Sequence, residues 1–220
     1  MTSKSPIEKA ILSNVKVDYA SGSLSVTDPF TQLPLRVGIA DLAFMVRLQN
    51  LLHEELTDQS VHPENFFYEF GRSWGTEFYN HLADRIKQAG IESISQPQDY
   101  LKDEFIEHLN SYLSYTGFGQ FRITEGNRFY IINLKNSVEF SLDEPHSAYM
   151  NSILCGFLGA LFSSLSGKTI SCAPLSVSRT ADKNRFALST EQIILEIKEH
   201  AASGKTEKEI LAIYGNQHLE

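Results

Sequence analysis

The chain has 220 residues, 42% of them hydrophobic and 21% charged, which suffices for one core-bearing domain, alone or with an appendage. A net charge of −8 argues against a general nucleic-acid-binding surface, and two cysteines cannot form a disulfide framework, so reduced thiols in a cytoplasmic compartment are expected. The opening "MTSKSPIEKAILSN" lacks the apolar core of a secretory signal. No apolar run reaches the ~18 residues of a bilayer span, so no transmembrane segment is expected.

In chain order, "VKVDYASGSLSVTDP" alternates around a Ser-Gly turn and predicts a hairpin, to which "QLPLRVGI" adds a short strand. Leu42, Met45, Val46, Leu48, Leu52 and Leu56 then fall at helical spacing. A second helix opens at Pro63, with Phe66, Phe70, Trp74 and Phe78 four apart and continued by Leu82 and Ile86. Gly71 and Gly75 form a parallel bare ridge; each costs roughly 1 kcal/mol of helix stability, so a packing reason is expected. Gly90 suits its C-cap. "SQPQDYLKDEFIEHLNSYLSYTG" predicts a third, amphipathic helix.

"GQFRITEGNRFYIINLKNSVEF" is a hairpin around Glu125-Gly126-Asn127. The apolar run from Ile153 to Phe162, closed by Ser163, Ser164, Ser166 and Gly167, predicts a buried helix too short for a membrane. "KTISCAPLSVSRTADKNRFALS" predicts two strands joined by a turn at Ala181 to Asn184. Ser189 to Gln192 and Thr206 to Glu209 read as capping boxes opening two short helices separated by Gly204. Segregated strands and helices indicate an α+β fold with a mainly antiparallel sheet. Residues 1–188 are expected to form this domain and 189–220 a C-terminal helical hairpin.

The helix carrying "FYEFGRSWGTEF" resembles the Gly-Arg-x-x-Gly helix of 4-vinyl reductase-like domains. "YTGFGQFRI" is similar to that family's Gly-x-Gly hairpin entry, "NLKNSVEF" to its Asn-Ser strand end, and "SILCGFLGALFSSLSGKTI" to its cysteine-bearing helix. The resemblance runs roughly from Val15 to Leu188. It implies a fold shared with core subunits of the TRAPP vesicle-tethering complex, a twisted antiparallel sheet packed on helices. It also implies a homodimer and an apolar pocket for a tetrapyrrole- or lipid-like molecule. A scaffold or assembly role with a protein partner, in chlorophyll handling or photosystem assembly, is a further implication.

Many such domains hold structural zinc, and here only Cys155 matches a ligand position. Aligning the last ligand-bearing strand on "NRF" puts Asn184, Ser176 and Ala173 at the others. One thiolate cannot close a tetrahedral site, so no metal is expected. Cys155 and Cys172, 17 apart, match no zinc motif, and a thiol in an apolar helix stays protonated and inert. No Gly-x-Gly-x-x-Gly joins a strand to a helix, and "SGKT" lacks the first glycine of a phosphate loop. No cofactor is therefore expected, and a tetrapyrrole reductase is the alternative from another class.

Ser152, Gly156, Ala160 and Ser164 make a small-residue face flanked by Phe157. Opposed to Phe70, Gly71, Trp74, Gly75 and Phe78, that face permits either close helix packing or a ligand pocket. Arg72, Arg122 and Arg128 are candidate partners for a ligand carboxylate. The tail is compatible with a sensing regulator acting through its helices. Its six acidic residues against three lysines from Glu191 to Glu220 make DNA recognition not expected.

Overall fold

A computed structural model describes residues 14–18, 23–27, 34–37, 42–88, 120–135, 146–178 and 183–216. The helix expected from Ser95 to Gly117, the cap at Gly90 and the first half of the turn expected at Ala181 to Asn184 lie outside the described residues, and Lys183 and Asn184 belong to a strand instead. β1 (Asn14–Asp18), β2 (Ser23–Thr27) and β3 (Pro34–Val37) form an antiparallel three-stranded sheet in that order. The expected hairpin and third strand are therefore both present.

A second antiparallel sheet has the order β4 (Gln120–Glu125), β5 (Tyr130–Lys135), β7 (Lys183–Ser189), β6 (Ser171–Ser178). Helices α1 (Leu42–Asp58) and α2 (Pro63–Gln88) precede it, α3 (His146–Ser166) joins β5 to β6, and α4 (Glu191–Ala202) and α5 (Glu207–Ile213) follow. The arrangement is α+β, as the segregated pattern indicates.

Period-2 alternation sorts the strand side chains onto two faces. Phe121, Ile123, Ile132, Leu134, Cys172, Phe186 and Leu188 face α3, where they pack on Leu154, Phe157, Leu158 and Leu161. Ile131, Ala173, Leu175 and Ala187 point the other way, onto Ile194, Ile197, Ile210, Leu211 and Tyr214 of the C-terminal helices and the turn after them. Those five residues are each 4% exposed or less. A boundary at 188/189 therefore has no counterpart in the packing. The helical tail is a layer of the fold, because without it the back of the sheet would lie bare.

Polar contacts fasten the same layer. Asn216, fully buried, accepts a hydrogen bond from the Asn127 backbone N–H and donates to the Asn127 carbonyl at 3.1 Å. Asn127 donates in turn to the Tyr214 carbonyl at 3.1 Å. The β4–β5 turn needs glycine at 126, where a Cβ would come within 2.7 Å of the Phe129 carbonyl. Arg185, 7% exposed, donates from Nε to Asn133 Oδ1 at 2.9 Å and from a terminal nitrogen to Glu207 at the start of α5.

The capping box at Thr206 forms: its hydroxyl accepts from Glu209 N at 3.3 Å, and the Glu209 carboxylate accepts from Thr206 N at 2.8 Å. The box expected at Ser189 does not. Thr190 is the cap residue without a side-chain bond, and the Ser189 hydroxyl donates to the Arg128 carbonyl at 2.7 Å instead. The terminal strand residue is recruited to hold the β4–β5 turn rather than to start a helix.

Helix α3 is longer than its apolar run suggested. From Ala148 to Ser166 it has the length and composition of a membrane-crossing helix, yet most of that stretch is buried inside the fold. Its apolar surface is consumed by α2 on one side and the sheet on the other.

Removing the Glu207 carboxylate would strand the Arg185 charge in a largely dry setting. Glu207→Ala is expected to lower unfolding stability by about 3 kcal/mol, read by urea denaturation. A loss within that of an exposed surface pair, ~0.5 kcal/mol, would show that α5 is not held through this ion pair.

Candidate functional site

Helices α2 and α3 meet backbone to backbone. A Cβ built at Gly71 would lie 2.1 Å from the Ile153 carbonyl oxygen, and one at Gly75 2.3 Å from that of Phe157. Reciprocally, a Cβ at Gly156 would lie 2.1 Å from the Tyr68 carbonyl oxygen and 2.9 Å from the Arg72 nitrogen. The glycine ridge and the small-residue face thus find each other, and backbone fills the space between Gly71, Gly75 and Gly156. These three glycines line a seam rather than a cavity.

The other expected pocket residues divide. Trp74 and Phe78 rest on Phe157, at ring-centroid distances of 4.2 Å and 5.4 Å, and both stay half-buried. Phe70 is 55% exposed and turns away from the seam. Ser152 returns its hydroxyl to the Ala148 carbonyl at 3.1 Å, within its own helix. Ala160 and Ser164 are half-buried farther along α3.

Beside the seam lies a polar spot that sequence reasoning did not assemble. Cys155 of α3 and Cys172 of β6 are both free and buried, and their thiols are hydrogen-bonded to each other. Burial pushes the Cys172 thiol well above its ordinary range, and the Cys155 contact adds to this. It is therefore a protonated thiol, not a nucleophile at neutral pH. Burial also raises the Tyr68 hydroxyl, reinforced by the two cysteines, while Arg72 pulls it down.

The positions aligned with zinc ligands are not gathered. Ala173 faces the C-terminal helices, whereas Asn184 alternates with Phe186 and Leu188 on the α3 face. Cys172 sits opposite Leu188, four residues along β7 from Asn184, or about 13 Å. Among the described residues, no group of three or more His, Cys, Asp or Glu is placed to hold a metal ion.

A second polar contact links α1 to α3. The Tyr149 hydroxyl and His53 Nδ1 are 2.6 Å apart, and the Tyr149 ring stacks on Phe67 of α2 at 4.7 Å. None of the three candidate arginines is directed into this layer. Arg72 pairs with Glu69 at the surface, the Arg128 guanidinium lies 5.7 Å over the Tyr214 ring, and Arg122 is exposed.

With this geometry in view, the fold can be placed among known structures. The phenol-responsive sensory domain of the transcription activator PoxR, solved with phenol, matches over 86% of this chain and 90% of its own, with a TM-score of 0.51 and 14% identity. A vinyl-4-reductase family protein from Methanocaldococcus jannaschii matches over 70% of this chain and 83% of its own, with a TM-score of 0.45 and 16% identity. No protein-family model and no curated protein sequence matches the chain. The fold is α+β, as the segregated sequence pattern indicated, and it is shared with the PoxR sensory domain.

Gly156→Ala gains about 1 kcal/mol of helix propensity but must force α2 and α3 apart. We expect a net loss of about 2 kcal/mol in denaturant unfolding; a gain would mean that the seam opens freely. Tyr68, Tyr149 and Tyr214 all hold their protons more tightly when folded, chiefly through burial, and so does Cys172. Their contribution is complete below the unfolded values, about 9 for the thiol and 10 for the phenols, and is lost as pH rises beyond them. Stability measured by urea titration should therefore decline from about pH 9 upward, and a flat profile to about pH 11 would contradict this placement.

Proposed function

We propose that this chain is a non-catalytic small-molecule-binding domain taking a compact, apolar, ring-bearing ligand at the α2–α3–sheet layer. The observation that carries this reading is the aromatic layer of α2. Tyr68, Trp74, Phe78 and Tyr79 rest on the core formed by α3 and the sheet, and each keeps some of its ring unburied. Half-buried rings over a rigid apolar floor suit an aromatic guest. A fold shared with a phenol-responsive sensory domain supports the same reading. A flat macrocycle is disfavoured: between the glycines it would have to separate backbones already in contact. The tetrapyrrole, photosystem and reductase roles implied by the resemblance have no described side chain that carries them.

Dimerisation belongs to this proposal. Leu48 and Leu51 on α1 and Phe66 and Phe70 on α2 leave between 37% and 55% of their surfaces exposed, a suitable apolar face for a second copy. A single-copy mass in sedimentation at micromolar concentration would remove that element of the proposal.

The only tryptophan of the chain, Trp74, sits in the proposed layer, so its emission is a direct reporter. Titration with phenol is expected to change Trp74 fluorescence saturably and to raise the melting temperature. A linear, non-saturating change with no shift in melting would remove the ligand reading.

A further inference from the structure

The two cysteines lie where α3 and β6 approach closely. A Cβ at Gly159, one turn after Cys155, would lie 3.3 Å from the Ile170 carbonyl oxygen and 3.8 Å from the Cys172 nitrogen. The bare flank of the helix therefore runs against the start of β6. Cys155 is 5% exposed and Cys172 2%, both are free, and their thiols are hydrogen-bonded to each other. The other buried side chains of their cluster, such as Leu154, Leu158 and Leu188, are all hydrocarbon.

As packing alone, a thiol pair offers little here. S–H is a weak donor and a free cysteine packs as a small hydrophobe, so an alanine or valine would fill much the same volume. What two thiols can do and two hydrocarbons cannot is join. A disulfide needs side chains aimed at each other across elements that already lie close, and both conditions are met. Burial also favours that product. A thiolate carries charge into a hydrocarbon setting, whereas a disulfide is neutral and without a hydrogen-bonding requirement. A closed metal site has no comparable support, since no third His, Cys, Asp or Glu joins the pair among the described residues.

We infer that Cys155 and Cys172 are a reversible redox latch, which a small oxidant of the peroxide class converts to a disulfide clamping α3 to β6. This is independent of the ligand reading above. One thiol, as its thiolate, attacks the peroxide: an S–O bond forms as the O–O bond breaks, and the departing hydroxide takes up the thiol's proton as water. The sulfur of the other thiol then displaces the sulfenic hydroxyl, which leaves with that thiol's proton as a second water. Two electrons pass from the two sulfurs to the peroxide, and a dithiol returns them by exchange. The titratable and charged groups acting on the pair are Tyr68 of α2 and, from α4, Lys198, with Arg72 and Glu69 beside Tyr68. Burial keeps the Cys172 thiol protonated, so closure is slow at neutral pH and quickens as pH rises.

The test treats the full chain with hydrogen peroxide at about pH 8.5, where thiolate is available, then unfolds and alkylates it for peptide mapping by mass. Both cysteines are expected to lose alkylation together, to appear in one Cys155–Cys172 cross-linked peptide, and to be restored by dithiothreitol. The cross-linked chain should melt roughly 5–10 °C higher than the reduced one, because the bond closes a loop of about 17 residues in the unfolded state. Two thiols that both remain alkylated after peroxide overturn the latch. So does sulfinic or sulfonic acid at either cysteine without the cross-link, or a cross-link that joins two chains. A cross-linked chain that melts no higher overturns the clamp. Cys155→Ala should show no peroxide-dependent rise in melting; a rise there would place the effect elsewhere in the chain and overturn the inference. Should that variant not fold, the peptide map of the parent decides.

Discussion

The contact on which the remaining packing depends is the glycine-mediated meeting of α2 and α3. Three glycines bring two backbones within a distance that any Cβ would forbid. This fixes the separation and the rotation of both helices at once. Rotation matters because α3 is apolar nearly all round and would otherwise have no preferred face toward the sheet. With its Gly156 side locked against α2, the side bearing Leu154, Cys155 and Leu158 is the one left for the strands.

Consequences run outward from that seam. The aromatic side chains of α2 cannot enter between the helices, so they lie along its flank and stack on Phe157. Cys155 is carried to Cys172, which closes the α3–β6 interface with a thiol pair rather than a hydrocarbon contact. On the far side of the sheet the C-terminal helices complete a third layer, tied at the β4–β5 turn by Asn127 and Asn216 and at β7 by Arg185 and Glu207. The sheet is thereby covered on both faces, and the front layer contains the chemistry.

The core of the front layer is apolar apart from its thiol pair, Cys155 and Cys172. Among the described residues, the Cys172 thiol is raised rather than lowered by its burial.

Much of this was legible from residue patterns. Hydrophobic periodicity located every described helix and strand, and the four-residue spacing of Gly71 with Gly75 and of Ser152, Gly156, Ala160 and Ser164 marked two faces able to approach closely. Alternation along "NRFALS" could also have revealed Asn184, since it falls on the same face as Phe186 and Leu188, a polar residue at an inward position. What periodicity could not decide is whether two bare faces enclose space or each other, because that depends on a distance between helices far apart in sequence. Nor could it join Cys155 to Cys172, or Arg185 to Glu207, since those pairings depend on strand order and on which sheet face the tail covers. Local spacing by itself determined the elements, their buried faces and the candidate seam; only the tertiary structure decided that the seam is closed by backbone, because the distance between two helices far apart in sequence is set by packing and not by local spacing.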